Sequence, residues 1–241
     1  MTSVSLFAGA YALADDAGSK AETPFTVEIT GHQWWWSGRY LSNSESDRTF
    51  TTASEFHIPA GKEVRFQIRS ADVMHGFWVP RVTESVDAVP GQVTETTIKV
   101  DEPGVYQGQC GVFCGAQHQN MKLSVVVDEP EDFEAWYDDQ LKVPEPPEEG
   151  TEAAEGMKIF AATCSGCHAV RDTAAGGVYG PNLSHLMTRS TLGSGMLTND
   201  SEGLARWIDN PQQIKPGCRM PDLGLDEQKI DKLVAYMETL D

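Results

Sequence analysis

The sequence predicts two domains of different class, a β sandwich or Greek-key barrel first and an all-α domain second. Short alternating segments separated by turns fill residues 24–127, helical periodicity begins at Thr151, and a Pro- and Glu-rich stretch lies between them. The chain has 241 residues, 40% of them hydrophobic, which is enough for two cores. We therefore expect an N-terminal segment at 1–23, a first domain at 24–142, a linker at 143–150 and a second domain at 151–241.

Four segments of the first domain have the composition and alternation of β-strands: residues 25–30, 63–69, 93–100 and 123–127. Turn signals lie between them, at Pro59-Ala60-Gly61, Pro90-Gly91 and Pro103-Gly104. Short strands at this spacing predict a sandwich or a Greek-key barrel.

Helical patterns follow the last predicted strand. Residues 128–142 predict a short amphipathic helix with Pro130 in its first turn and an apolar face of Phe133, Trp136 and Tyr137. Thr151 is the expected N-cap of the next helix, and further helices are predicted at 201–210 and 226–240. The last of these has its buried side at Ile230, Leu233, Val234 and Met237.

The loop before the last predicted strand reads C-G-V-F-C-G-A-Q-H-Q-N-M and carries Cys110, Cys114, His118 and Met121. Thiolate, imidazole and thioether ligands select copper and other soft metals. A mononuclear blue-copper site needs one Cys, whereas two Cys four residues apart can bridge two coppers. This pattern is typical of the binuclear CuA centre, which transfers electrons.

The cluster lacks one imidazole, which must come from elsewhere in the chain. His75, in the stretch A-D-V-M-H-G-F-W-V-P, is the predicted ligand. His32 and His57 lie in strand-like segments without a recognisable partner, and we do not assign them to the site.

A second redox motif, C-S-G-C-H, spans residues 164–168 and is the attachment sequence of a c-type haem. Cys164 and Cys167 are the expected thioether residues, and His168 is the expected proximal ligand. The sixth ligand requires a soft donor on a downstream loop, and I-K-P-G-C-R-M-P supplies Met220. Methionine ligation raises the haem potential relative to two histidines. Three other methionines are alternatives for the sixth ligand, but none lies in a loop of this type: Met187, Met196 and Met237.

Charge and cysteine usage narrow the class of protein. The net charge of −18 argues against nucleic acid and anionic lipid surfaces as direct partners. Of the five cysteines, four fall in the two motifs, and Cys218 is interpreted as a buried or half-buried free thiol. Covalent haem attachment implies an extracytoplasmic compartment. The acidic run at 128–149 is either a solvated helix and linker or a docking face for a basic donor.

Residues 4–14 are apolar but shorter than the ~20 residues of a membrane span. No Lys or Arg precedes them, as a signal peptide requires. We interpret the segment as the outer end of a transmembrane helix, with a signal peptide as the alternative. The expected location is the extracytoplasmic face of the cytoplasmic membrane, with a membrane anchor.

Five stretches of the first domain resemble subunit II of haem–copper oxidases: G-H-Q-W-W-W (31–36), A-D-V-M-H-G-F-W-V-P (71–80), D-A-V-P-G-Q (87–92), P-G-V-Y-Q-G-Q-C (103–110) and the copper loop. The resemblance implies a cupredoxin fold in which Cys110 and Cys114 bridge both coppers. It implies that His75 and His118 bind one copper each. Met121 and the backbone carbonyl of Val112 are then the weak ligands.

Two further positions follow from the same resemblance. Trp34 matches the residue through which electrons reach CuA, although core packing and a membrane-interface role are alternatives for the three adjacent tryptophans. Many family members carry Glu where this chain has Val112, and that carboxylate helps to hold magnesium. We therefore expect no magnesium site here. The missing Glu looks closer to the divergent B-type oxidases.

Residues 151–241 resemble class I cytochrome c. Gly156 and Phe160 match first-helix positions that pack against the last helix, at the positions of Leu233 and Tyr236. The stretch G-P-N-L at 180–183 matches the loop whose Pro carbonyl accepts a hydrogen bond from the proximal His. Trp207 is expected at the haem edge or in the core.

The two resemblances together predict the electron-input subunit of a caa-type cytochrome c oxidase, a respiratory, proton-translocating oxidoreductase. This chain would carry electron transfer only, from haem c to CuA and on to the oxygen-reducing subunit I, and it has no predicted catalytic residue. The expected partners are subunit I, other membrane subunits and an upstream donor, either cytochrome c or the quinol–cytochrome c reductase complex. Two alternatives stay open: the input subunit of a CuA-containing nitric oxide reductase, and a soluble two-centre electron shuttle.

Overall fold

The computed structural model describes residues 25–41 and 48–241. The predicted N-terminal segment at 1–23 lies outside the described residues. Within them, a sheet-rich part precedes a helical part, and each has its own cluster of buried apolar side chains. The predicted fold class, a cupredoxin-like β domain followed by an all-α cytochrome c-like domain, is confirmed.

The sheet-rich part, called the β domain below, contains more strands than the four predicted. Its described strands are β1 (Phe25–His32), β2 (Trp35–Leu41), β3 (Phe50–Ala53), β4 (Glu55–Pro59), β5 (Glu63–Ser70), β6 (His75–Trp78), β7 (Val86–Ala88), β8 (Thr94–Lys99), β9 (Gly104–Cys110) and β10 (Lys122–Asp128). They form two five-stranded sheets, in the orders β3-β2-β1-β5-β8 and β4-β10-β9-β6-β7. The four predicted strands correspond to β1, β5, β8 and β10.

The two sheets pack face to face, as a sandwich requires. Along β5, Val64, Phe66 and Ile68 are fully buried and alternate with more exposed residues, as the sequence predicts. Phe66 meets Phe77 of the other sheet with ring centroids 5.7 Å apart. This core supports the strand ends from which the loop with Cys110 and Cys114 leaves.

Helix α1 (Pro130–Leu141) closes one end of the β domain, with Pro130 in its first turn as predicted. Phe133 and Tyr137 are buried, and both rings meet Phe25 edge-on at 5.6 and 5.7 Å. Trp136 stacks on the imidazole of His57 at 4.2 Å. The predicted apolar face of the helix is therefore the face that packs on the core.

The helical part, called the helical domain below, contains α2 (Glu152–Thr163), α3 (Ser201–Asp209), α4 (Pro211–Ile214) and α5 (Glu227–Met237), with a small hairpin of β11 (Thr191–Leu192) and β12 (Leu197–Thr198). Thr151 caps α2 by accepting from the amide of Ala154 at 3.2 Å. Among the described residues, no helix has the length and apolar composition of a bilayer span.

Helices α2 and α5 cross at Gly156. A Cβ atom built there would lie 1.8 Å from the carbonyl oxygen of Lys232, so any side chain at this position forces the helices apart. One turn away, Phe160 contacts Tyr236 with ring centroids 5.4 Å apart. The packing expected from the cytochrome c resemblance is therefore present.

Candidate metal centres

The thiol-rich loop lies between β9 and β10, beside the start of β6. Cys110 is the last residue of β9 and pairs with Phe77, two residues beyond His75 in β6. A Cβ at Gly76 would lie 2.9 Å from the amide nitrogen of Val112, so the loop crosses β6 closely. Sheet pairing thus brings His75 to residues 35 positions away in the chain.

All six residues predicted to bind copper converge here. Sγ of Cys110 lies 3.7 Å from Sγ of Cys114, 3.9 Å from Nδ1 of His75 and 3.1 Å from the carbonyl oxygen of Val112. Sγ of Cys114 lies 3.6 Å from Nδ1 of His118 and 3.8 Å from Sδ of Met121. The ligand atoms of His75, Cys110 and Cys114 all lie within 4.8 Å of one another.

The chemistry of this donor set fits copper. Two thiolates, two imidazoles and a thioether are soft or borderline ligands, and no carboxylate is in the set. His75 is fully buried, and both cysteines are almost fully buried. The hydrogen bond from Cys114 lowers the pKa of the Cys110 thiol well below its ordinary value, while the same contact raises the pKa of Cys114. Cys110 is therefore the thiol of this pair that ionises first.

Asp72 orients the His75 ring. Its Oδ1 lies 2.8 Å from Nε2 of His75, and its Oδ2 accepts from the amide of Gln33 at 2.8 Å. Burial alone would raise the pKa of Asp72, but the hydrogen bonds from His75 and from backbone amides hold it below its ordinary value. Sequence reasoning did not single out Asp72, although a carboxylate three residues before a metal-binding His is a usable signal.

The second predicted centre surrounds a cavity of about 350 Å³ that Cys164, Cys167, His168 and Met220 all line. Nδ1 of His168 lies 2.8 Å from the carbonyl oxygen of Pro181, so Nδ1–H donates and Nε2 is left free. This is the contact that the cytochrome c resemblance implies. Trp207 lines the same cavity and also packs against the apolar cluster of the helical domain.

The cavity fits a haem group. Its lining is mainly apolar, and Met220 and Met237 are the methionines that face it. Arg189 is buried in its wall, and its Nε has no hydrogen-bond partner within the described structure. A buried cation with an unsatisfied donor suits an acidic group such as a haem propionate. Arg189 was not anticipated from the sequence.

The two centres share a boundary, because Trp34 of the β domain also lines the cavity. Its Nε1 donates to the carbonyl oxygen of Cys114 at 3.1 Å. On its other side, a Cβ built at Gly217 would lie 3.8 Å from the indole ring. Trp34 therefore lies between the thiol-rich loop and the loop that carries Met220.

Two histidines that were left out of the predicted sites have partners in the structure. Nδ1 of His57 lies 2.7 Å from Asp128, and its Nε2 lies 3.8 Å from Glu55. His32 stacks on Trp35 at 4.2 Å. Cys218 is half-buried and free, as expected.

Comparison with known proteins matches each half of the chain to a different protein family. Residues 41–128 match the family described as cytochrome c oxidase subunit II, periplasmic domain, and residues 153–241 match the cytochrome c family. Cytochrome c oxidase subunit 2 of Alkalihalophilus pseudofirmus is 35% identical over 216 residues, which are 89% of this chain and 60% of that protein. The same subunit of Bacillus sp. strain PS3 is 29% identical over 231 residues, with coverages of 89% and 62%.

Among solved structures, the periplasmic domain of cytochrome oxidase subunit II of Bradyrhizobium japonicum is 31% identical, with coverages of 48% of this chain and 92% of that chain and a TM-score of 0.44. The chain spans about 60% of the length of the first two relatives. Two family matches in this order show that the chain joins a periplasmic domain of the cytochrome c oxidase subunit II family to a cytochrome c domain.

Proposed function

We propose that this chain is the electron-input subunit of a respiratory haem–copper oxidase, passing electrons from a covalent haem c to a binuclear CuA centre and on to the oxygen-reducing subunit I. The observation that carries the proposal is the position of Trp34. Its indole touches the carbonyl of Cys114 and lines the cavity around His168 and Met220. The two candidate centres are thus neighbours separated by one aromatic side chain.

The residues that would hold the coppers are Cys110 and Cys114 as bridges, His75 and His118 as one ligand each, and Met121 with the Val112 carbonyl as weak ligands. Cys164 and Cys167 would attach the haem, and His168 and Met220 would be its axial ligands. When bound, these groups supply reversible one-electron chemistry. The chain itself breaks no bond and needs no catalytic residue.

The protein's own contribution is a rigid and water-poor setting. Asp72 holds His75 with Nδ1 towards the thiols, and the carbonyl of Pro181 holds His168 with Nε2 towards the cavity. Cys110, Cys114 and Met121 are buried on a β scaffold. Ligands held in this way move little between oxidation states. Trp34 is the residue through which we expect electrons to reach the copper loop.

The domain limits proposed for this function are 24–142 for the copper domain, 143–150 for the linker and 151–241 for the cytochrome c domain. The proposed partners are subunit I, other membrane subunits and an upstream donor, cytochrome c or the quinol–cytochrome c reductase complex. The proposed location is the outer face of the cytoplasmic membrane, with a membrane anchor. Because Val112 lacks a carboxylate, we propose no magnesium site at this position.

Metal analysis of the purified holoprotein tests the proposal. We expect two coppers and one covalent haem per chain, with a mixed-valence, delocalised copper EPR spectrum. Cys110→Ser and Cys114→Ser should each abolish that spectrum and leave the haem spectrum unchanged. One copper per chain with a blue-copper spectrum would exclude CuA. Rapid mixing with reduced cytochrome c should show haem reduction before CuA reduction.

A further inference from the structure

Lys215 is a buried cation in the wall of the cavity around His168 and Met220, and it is not among the proposed ligands of either centre. It is 2% exposed, and its Nζ donates to three carbonyl oxygens: those of Trp34 at 2.7 Å, Asn120 at 2.7 Å and Gly193 at 2.8 Å. An ammonium group has three N–H donors, and here all three are satisfied by backbone. Gly193 belongs to the helical domain, whereas Trp34 and Asn120 belong to the β domain.

Burying an ammonium group is unfavourable unless its hydrogen bonds replace those lost to water. Burial lowers the pKa of Lys215 to about 7. Two of the three carbonyls that compensate for the lost water come from the other domain. The compensation is therefore complete only while the two domains are in contact, so Lys215 favours the docked arrangement over a separated one.

The loop that begins at Lys215 makes further contacts across the same boundary. Nε2 of Gln117 donates to the carbonyl oxygen of Pro216 at 2.8 Å. Arg219 pairs with Asp72 at 2.9 Å, and Asp72 in turn holds His75. The loop therefore contacts residues on both sides of the proposed copper site before it reaches Met220.

We propose that Lys215 is a positioning residue that fastens the loop carrying Met220 to the loop between β9 and β10 and holds Trp34 between them. Asn120 is adjacent to Met121, and Trp34 contacts Cys114. Two of the three carbonyls that Lys215 binds therefore belong to residues next to the proposed copper ligands, and the third, that of Gly193, belongs to the helical domain. The docking itself requires no metal. Its kinetic consequence, a fast step between haem c and CuA, rests on the proposed function.

The test compares Lys215→Met, which keeps an unbranched side chain one atom shorter than lysine and removes its donors, with Lys229→Met. Lys229 is an exposed lysine on α5 of the same domain, and it pairs with Asp226, the residue that precedes this helix. Hydrogen exchange of the full-length chain, followed by mass spectrometry, should be faster in Lys215→Met over residues 33–36, 118–122 and 190–196. Exchange over 227–237 should not change, and Lys229→Met should match the wild type over the first three segments.

A second readout uses the metal-loaded chain. After flash reduction of the haem, electron transfer to CuA should be slower in Lys215→Met by about tenfold or more, because small displacements of reacting groups have large kinetic effects. The copper EPR and haem absorption spectra should stay those of the wild type. Loss of either spectrum would show a structural role at one centre and overturn the proposal.

Lys215→Gln, which keeps two N–H donors, covers the case in which the methionine variant does not fold. The backbone amides of residues 33–36, 118–122 and 190–196 should exchange faster in Lys215→Gln than in the wild type and more slowly than in a folded Lys215→Met. Wild-type exchange in Lys215→Gln, or in a folded Lys215→Met, would overturn the proposal. If the wild type itself passes no electron from haem to copper, the proposed function fails while the exchange result still decides the docking role.

Discussion

Asp72 and His75 form a carboxylate–imidazole pair at the copper loop, with Oδ1 of Asp72 2.8 Å from Nε2 of His75. A carboxylate can only accept here, so Nε2 carries the proton and the lone pair of Nδ1 faces Cys110. Asp72 side-chain exposure is 12%, and His75 is fully buried. This pairing fixes the tautomer that a metal ligand needs.

Removing the Asp72 carboxylate should weaken copper binding. Asp72→Ala is expected to lower copper affinity by about 10–100-fold, the usual effect of losing such a partner. Competition with a copper chelator measures the copper affinity of the variant and of the wild type. Arg219→Leu removes the ion pair with Asp72 and leaves the hydrogen bond between Asp72 and His75. The copper affinity of this control variant should therefore stay close to that of the wild type. Equal affinity in Asp72→Ala and the wild type would contradict the assigned role.

Val112 should tolerate a change of side chain. Its carbonyl oxygen lies 3.1 Å from Sγ of Cys110, and in the proposed site it is this oxygen, and not the side chain, that would bind copper. Val112→Glu is therefore expected to leave the CuA absorption and EPR spectra nearly unchanged. If the spectra disappear, the side chain, and not the carbonyl, faces the copper.

Met220→His should lower the haem potential, because methionine ligation raises it relative to two histidines. Stopped-flow mixing with an external donor should then show slower reduction of CuA. Direct chemical reduction of CuA should proceed as in the wild type, which serves as the internal control. If the donor reduces CuA equally fast in the variant, electrons reach the copper without passing through the haem.

The His57 cluster predicts a pH dependence of stability. Burial by itself lowers the pKa of His57, but hydrogen bonds with Asp128 and Glu55 raise it above its ordinary value of 6.5. The stabilisation is fully present below pH 6.5 and is lost as the pH rises through the raised pKa of the folded protein. Urea denaturation at a series of pH values should show this decrease.

The control for the cluster is His57→Gln, which does not titrate. Its free energy of unfolding should be lower than that of the wild type at pH 6 and should change less between pH 6 and 9. A wild type whose stability increases over this range would show that the histidine is neutral in the folded protein.

Gly156→Ala should destabilise the helical domain, because the new Cβ would lie 1.8 Å from the carbonyl oxygen of Lys232. Overpacking of this kind costs about 1–3 kcal/mol. Gly176→Ala is the matched control, since nothing lies within 4 Å of a Cβ there. Urea denaturation followed by circular dichroism gives the free energy of unfolding of both variants. Equal values would mean that α2 and α5 accommodate the new methyl group without a loss of stability.

The local patterns of the sequence were sufficient for the fold class, and they singled out most of the residues that the structure brings together in the two candidate sites. Alternation in β5 and the capping of α2 by Thr151 are short-range effects, and they are present as predicted. Shorter strands such as β6 and β7 were missed because three or four residues hold too little periodicity. His75 could be placed only by chemistry, since the copper loop lacked one imidazole.

The sequence by itself determined the kinds of side chain available at each candidate centre, because Cys, His and Met carry their chemistry in their side chains and cluster in short motifs. Only the tertiary structure decided how the two centres face each other. Lys215 binds backbone carbonyls of Trp34, Asn120 and Gly193, and such acceptors occur at every residue and leave no mark on the sequence. The pairing of Arg219 with Asp72 likewise joins residues that no periodicity connects, so it depends on the packing of one domain against the other.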